Sequence, residues 1–145
     1  MIIDALAELD ARTENTMIFV LPIFDTTIPA AVAQVYVPFN TTSIGNLSIL
    51  GRGWPAPTPM RLSNLYVRVQ SNTLNRDGRV IVAYNNVQSL LRVSIPAGQV
   101  GLFSNTTTTI NIEAGDAILI VFDTTAASSG QMVVDGVAFA ARLAP

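Results

Sequence analysis

Short apolar runs, separated by turn-forming residues at intervals of about ten residues, fill the chain from Phe39 onward. The separators are rich in glycine, proline and aspartate, as in Asp77-Gly78, Pro96-Ala97-Gly98 and Ala114-Gly115-Asp116. None of the runs has the apolar spacing of a helix, and strands at this spacing are typical of an all-β sandwich or barrel. We therefore predict an antiparallel all-β domain over residues 39–145.

The apolar runs also give individual strands and turns. Asp77-Gly78 predicts a two-residue hairpin turn. Asp135-Gly136 lies inside the last run and fits a bulge or bend as well as it fits a turn. The predicted strands are Met17–Ile23, Ala33–Val37, Ser43–Leu50, Arg61–Gln70, Arg79–Asn85, Leu90–Ile95, Val100–Phe103, Thr109–Ile112, Ala117–Asp123 and Gln131–Leu143.

Residues 1–38 differ from the rest and predict an extended N-terminal arm. Prolines at positions 22, 29 and 38 keep this segment from the middle of a sheet and favour an edge. The first eleven or so residues have an apolar stripe at helical spacing. A segment this apolar has to pack against a surface. That surface lies either on its own domain or on a neighbouring subunit or larger partner. The residues expected to bind a neighbouring subunit or a larger partner are Ile2, Ile3, Leu6, Leu9, Ile18, Val20 and Ile23.

Two strand patterns bear on assembly. Leu65–Gln70 alternates between apolar and polar residues, so its odd positions should face the core. Ala117–Phe122 is apolar on both faces, and its second face needs cover from a second chain or from the arm, unless it forms an exposed patch. Small residues in the last strand permit close approach of another surface. We therefore predict a homo-oligomer whose interface includes Tyr66, Arg68, Leu119, Val121, Ala138, Ala140 and Arg142.

The composition argues against most enzyme chemistry. The chain has no histidine, cysteine or lysine, only 12% of its residues are charged, and its net charge is −2. The commonest general base, the soft metal ligands and the thiolate nucleophile are therefore missing. We expect no enzyme activity, cofactor or metal site, no nucleic-acid footprint, and no membrane-spanning or signal segment. Scattered carboxylates remain, at Asp25, Asp77, Glu113, Asp116, Asp123 and Asp135, and Trp54 is either a loop anchor or a sugar-stacking residue.

Four segments carry a resemblance to a known fold family. They are Val93–Gly101, Phe103–Thr107, Ile112–Ile118 and Gly130–Val137, which contain the Ile-Pro-Ala-Gly and Ala-Gly-Asp signals. In this order they resemble the compact jelly-roll modules of the tumour-necrosis-factor and complement-head type found in bacteriophage structural proteins. The resemblance extends from about Arg61 to Leu143 and leaves the arm outside. It implies an antiparallel jelly-roll sandwich that forms trimers around a threefold axis.

The resemblance and the composition together give an expected function. A small acidic trimer with an apolar arm is similar to a phage head decoration protein, which binds the major capsid protein on the outside of the virion. In that interpretation the arm stabilises the shell. The alternative is a receptor- or carbohydrate-binding head of a phage tail fibre, which the short segment before the domain disfavours.

Overall fold

The computed structural model describes residues 16–21, 26–36, 43–45, 53–85 and 87–144, and all regular structure within these ranges is β-strand. Twelve strands follow in chain order: β1 (Thr16–Leu21), β2 (Thr26–Pro29), β3 (Ala33–Tyr36), β4 (Ser43–Gly45), β5 (Trp54–Pro55), β6 (Met60–Asn72), β7 (Gly78–Tyr84), β8 (Val87–Ile95), β9 (Gly101–Asn105), β10 (Ile110–Ile112), β11 (Ala117–Asp123) and β12 (Gln131–Leu143).

The strands form two antiparallel sheets. In the first sheet, β12 pairs with β6 on one side and with β1 and β2 on the other, and β9 and β10 pair with β6. In the second sheet, β11 pairs with β7 and with β3 and β5, while β8 and β4 extend the sheet outward. The predicted all-β class is therefore confirmed, and the two antiparallel sheets are consistent with a β-sandwich.

The core lies between the two sheets and follows the predicted alternation. Leu65, Val67 and Val69 of β6 are buried, whereas the residues between them are exposed. They belong to the same apolar cluster as Ile118 and Ile120 of β11 in the facing sheet. Burial of this cluster removes apolar surface from water, which is the main stabilising contribution in a domain of this size.

The longest apolar runs were predicted most accurately. The predicted ranges of β11 and β12 coincide with the structure, and β6 is longer than predicted. Two strands, β2 and β5, were missed because each contains proline, which lacks a backbone donor and weakens a strand pattern. Both are short and pair only with β12 and β11 respectively, so proline is tolerated there.

The predicted hairpin at Asp77-Gly78 is wrong, because β6 and β7 belong to different sheets. Asp77 instead accepts a hydrogen bond from the amide of Ala97 in a neighbouring loop. The actual hairpin joins β7 and β8, where Tyr84 pairs with Val87 and Asn85 has a φ of 50°. Asparagine tolerates this left-handed conformation better than most residues.

Of the bulge, bend or turn that the sequence left open at Asp135-Gly136, the structure shows a bulge. Along β12, Val134 pairs with Val69 and Gly136 pairs with Arg68, so Asp135 has no counterpart on β6. Such an extra residue bends the strand and re-aims a side chain.

The described part of the predicted arm pairs with its own chain. β1 pairs with β12 from Thr16–Arg142 to Leu21–Val137, β2 pairs with the start of β12, and β3 pairs with β11. Here the arm lies on its own domain, and β1 and β2 occupy a sheet edge as the prolines indicated. The helix-like stripe at the N-terminus lies outside the described residues.

Candidate functional site

The face of the first sheet that points away from the core has the features of a binding surface, and we call it the outer face. It is formed by β6, β9 and β12 together with the loop before β10. Five of the seven predicted interface residues lie on it: Tyr66, Arg68, Ala138, Ala140 and Arg142.

One cavity on the outer face surrounds the bulge of β12. It has a volume of about 220 Å³ and is lined by Tyr66, Arg68, Leu102 and the segment from Asp135 to Ala138. Gly136 and Ala138 contribute little side chain, so the cavity exists because these positions are small. Leu102 is 65% exposed and Tyr66 is 41% exposed, which places apolar side chains beside it.

Asp135 contributes an unusual group to this cavity. Its Oδ1 atom is buried and has no hydrogen-bond partner among the described residues. Leaving a buried polar atom without a partner costs free energy, whereas a donor supplied from outside recovers it. The cavity therefore combines apolar walls with an acceptor that favours a donor group.

A second cavity lies on the same face and is polar. It has a volume of about 320 Å³ and is lined by Arg61, Ser63, Asn64, Thr109, Ala140 and Arg142. A bulge in β6, between the pairs Ala138–Tyr66 and Ala140–Ser63, turns both Ser63 and Asn64 toward it. Asn64 has a φ of 54°, a conformation that asparagine tolerates.

The edge next to the outer face carries further exposed apolar side chains. Leu90 of β8 is 69% exposed, and Val100, just before β9, is 56% exposed. The side-chain amide of Asn105 donates to the carbonyl oxygens of Leu90 and Arg92 and so connects the end of β9 to the middle of β8.

Leu119 and Val121, which were predicted at a subunit interface, are already buried within the single chain. They point away from the main core but are only 1% and 0% exposed, in a second apolar cluster with Ile81 and Ala83. The sequence correctly indicated that β11 needs cover on both faces. The single chain already buries this second face of β11.

The predicted arm contacts divide into two groups. Ile18 and Val20 lie in β1, where they pair with Ala140 and Ala138 of the same chain. In the single chain their backbone pairs with β12 of the first sheet. The remaining arm residues, Ile2, Ile3, Leu6, Leu9 and Ile23, lie outside the described residues.

Most of the described carboxylates have structural roles. Asp123 binds Arg79 and accepts hydrogen bonds from the hydroxyl and the amide of Thr125. Burial raises the pKa of Asp123, but these hydrogen bonds and the Arg79 charge outweigh it and hold the pKa below its ordinary value. Asp116 bonds to Asn85 and to the amide of Glu113.

Among the residues that the structure describes, no group of three or more carboxylates is placed to hold a metal ion. Trp54 is partly buried and packs against the main core, which supports its interpretation as a loop anchor. No helix in the described ranges is long and apolar enough to cross a membrane.

Comparison with known proteins gives no relative. The sequence matches no protein-family profile, and no curated protein is significantly similar to it.

Sequence reasoning did not assign Leu102, Asp135, Ser63, Asn64 or Thr109 to the outer face. The bulge signal at Asp135-Gly136 located one of them without indicating its chemistry. Leu102 precedes a partly buried Phe103 in a short strand, and only the pairing of β9 with β6 places it beside Tyr66 and Arg68.

Proposed function

We propose that this protein is a non-catalytic structural protein, a jelly-roll module that assembles as a homotrimer through its outer face and decorates the exterior of a phage capsid. The observation that carries the proposal is the composition of the outer face, where exposed Tyr66 and Leu102 surround the unpartnered Oδ1 of Asp135 above the small residues Gly136 and Ala138.

The order of strands supports a jelly roll. The first strands, β1 and β2, flank the last strand, β12, while β3 and β5 flank the penultimate strand, β11. The next two strands, β6 and β7, continue this alternation, one in each sheet. The first strands of the chain pair with its last strands, and the chain passes back and forth between the two sheets. This is the connectivity expected of paired Greek keys.

The outer face has the chemistry of a protein interface. Tyrosine and arginine are enriched among residues that dominate binding energy, and here Tyr66 and Arg68 line the same cavity. The small side chains of Ala138 and Ala140 let another backbone approach closely. The exposed Leu90 and Val100 extend the apolar surface at the adjoining edge.

In this proposal the major capsid protein is the larger partner, and the shell contact is assigned to the first fifteen residues, with Ile2, Ile3, Leu6 and Leu9 as its apolar stripe. Residues 16–21 and 26–36 serve the sandwich itself. Three weak arms on one trimer bind more tightly than one because each bound arm raises the effective concentration of the others.

Mixing the protein with expanded capsids that lack decoration tests the proposal. We expect full-length protein to sediment with the capsids, a variant lacking residues 1–15 to remain trimeric but unbound, and Glu113→Gln, a surface control, to bind normally. Equal binding by the shortened variant rejects the role of the arm. Failure of the full-length protein to bind rejects capsid decoration.

A further inference from the structure

Two arginines face each other directly on the outer face. Arg61 of β6 and Arg142 of β12 are cross-strand partners, and both side chains are exposed and line the second cavity. Directly opposite residues on one face of an antiparallel pair lie within interaction distance, and like charges at such positions are destabilising. The pair therefore opposes folding unless a negative charge lies between or above the two guanidinium groups.

The described neighbours do not supply that charge. The residue across from Arg61 on its other side is Asn111 of β10, which is neutral. Glu113 follows Asn111 by two residues on the exposed side but makes no ion pair with either arginine. The one salt bridge among the described residues joins Arg79 and Asp123, in the second sheet.

The rest of the cavity suits an oxyanion. Ser63 and Thr109 bring hydroxyl donors, Asn64 brings a side-chain amide, and Ala140, opposite Ser63, leaves space beside the two arginines. Guanidinium groups match carboxylate and phosphate oxygens with paired hydrogen bonds. A volume of about 320 Å³ has room for a small anion with its remaining water.

We propose that Arg61 and Arg142, with Ser63, Asn64 and Thr109, form a binding site for a single oxyanion, either a carboxylate or a phosphate group. The ligand is compact rather than a nucleic acid, because the chain carries a net charge of −2 and a polyanion needs an extended basic surface. The site lies on the outer face through which the proposed trimer assembles, but the inference does not depend on assembly, because the two arginines face each other within a single chain.

Thermal unfolding of the full-length protein in sodium phosphate, sodium acetate and sodium chloride at equal ionic strength and pH 7 tests the site. We expect phosphate or acetate to raise the unfolding temperature by a few degrees relative to chloride. Stabilisation by phosphate alone indicates a free inorganic oxyanion as the source. Stabilisation by acetate alone indicates the carboxylate of a protein side chain.

Variants separate the site from general salt effects, since phosphate also stabilises proteins by exclusion from their surface. Arg61→Gln and Arg142→Gln should unfold at the same or a higher temperature than the wild type in chloride, because one of two repelling charges is gone. Both should lose the extra stabilisation by oxyanions. Arg76→Gln, which removes an exposed arginine from a loop, should retain it.

The proposal is overturned if neither oxyanion stabilises the wild type more than chloride, or if the two variants respond as strongly as the wild type. A lower unfolding temperature of Arg61→Gln in chloride, rescued by Glu113→Gln in the same chain, also overturns it, because it shows that Glu113 already neutralises the pair.

Discussion

At the residue scale, two aspartates of the sandwich meet opposite environments. Asp123 is buried but accepts hydrogen bonds from Thr125 and pairs with Arg79, so its charge is compensated. Asp135 presents an oxygen without a partner in a cavity of the outer face. The sequence placed both residues among the scattered carboxylates without telling them apart, because a partner that is distant in the chain, such as Arg79, cannot be read from local pattern.

The lowered pKa of Asp123 predicts a pH-dependent contribution to stability. Because its pKa in the folded state lies below the ordinary value of 3.8, its contribution to stability is present above that pH and is lost as pH falls through the folded value. We expect Asp123→Asn to cost about 1.5–3 kcal/mol at pH 7, the range for hydrogen bonds to charged groups. Urea unfolding should show the difference shrinking toward pH 3, and a difference independent of pH contradicts the assignment.

Gly130 predicts a steric effect at the start of β12. Its φ is 90°, and a Cβ there would lie 2.0 Å from the carbonyl oxygen of Thr73. Gly98 has a similar φ of 75° but open space around it. Gly98→Ala should cost about 1–2 kcal/mol from backbone strain alone, and Gly130→Ala should cost at least about 1 kcal/mol more because of the overlap. Similar losses for both variants in chemical unfolding would rule out the close approach.

At the element scale, strand type followed from local pattern, whereas strand partners did not. The alternation of Leu65–Gln70 and the apolar run of β11 depend on residues next to each other, so both were predicted. The hairpin prediction at Asp77-Gly78 failed because an Asp-Gly pair fits several kinds of turn. Whether the strand after such a turn joins the same sheet or the facing one depends on packing across the whole core. The cover over Leu119 is equally non-local, which is why an interface was predicted where the chain buries this residue itself.

This burial predicts how Leu119 affects stability. Leu119→Ala should destabilise the protein by about 2–5 kcal/mol, as expected for a truncated buried leucine, and the loss should not depend on protein concentration. Leu90, which is 69% exposed, provides the control, and Leu90→Ala should change stability by less than about 0.5 kcal/mol. Chemical unfolding at several protein concentrations measures both. If the loss of stability in Leu119→Ala disappears at high protein concentration, Leu119 lies in a subunit interface after all.

At the scale of the whole molecule, the apolar surface is distributed unevenly. The second sheet hides its outward side chains around Leu119, whereas the first sheet exposes Tyr66 and Leu102 beside two cavities. Small residues at 138 and 140 were recognised in the sequence as permitting close approach, and both lie on the exposed face. The cavities themselves were not predictable, because they result from bulges that shift β12 against β6.

Sedimentation equilibrium of the purified full-length protein tests the central claim that the outer face binds other copies of the chain. We predict a homotrimer for the wild type and a folded monomer for Ala138→Arg, which fills the cavity beside Asp135 with a bulky charged side chain. Glu113→Gln should sediment as the wild type does. A wild-type protein that is monomeric at all concentrations would contradict the account.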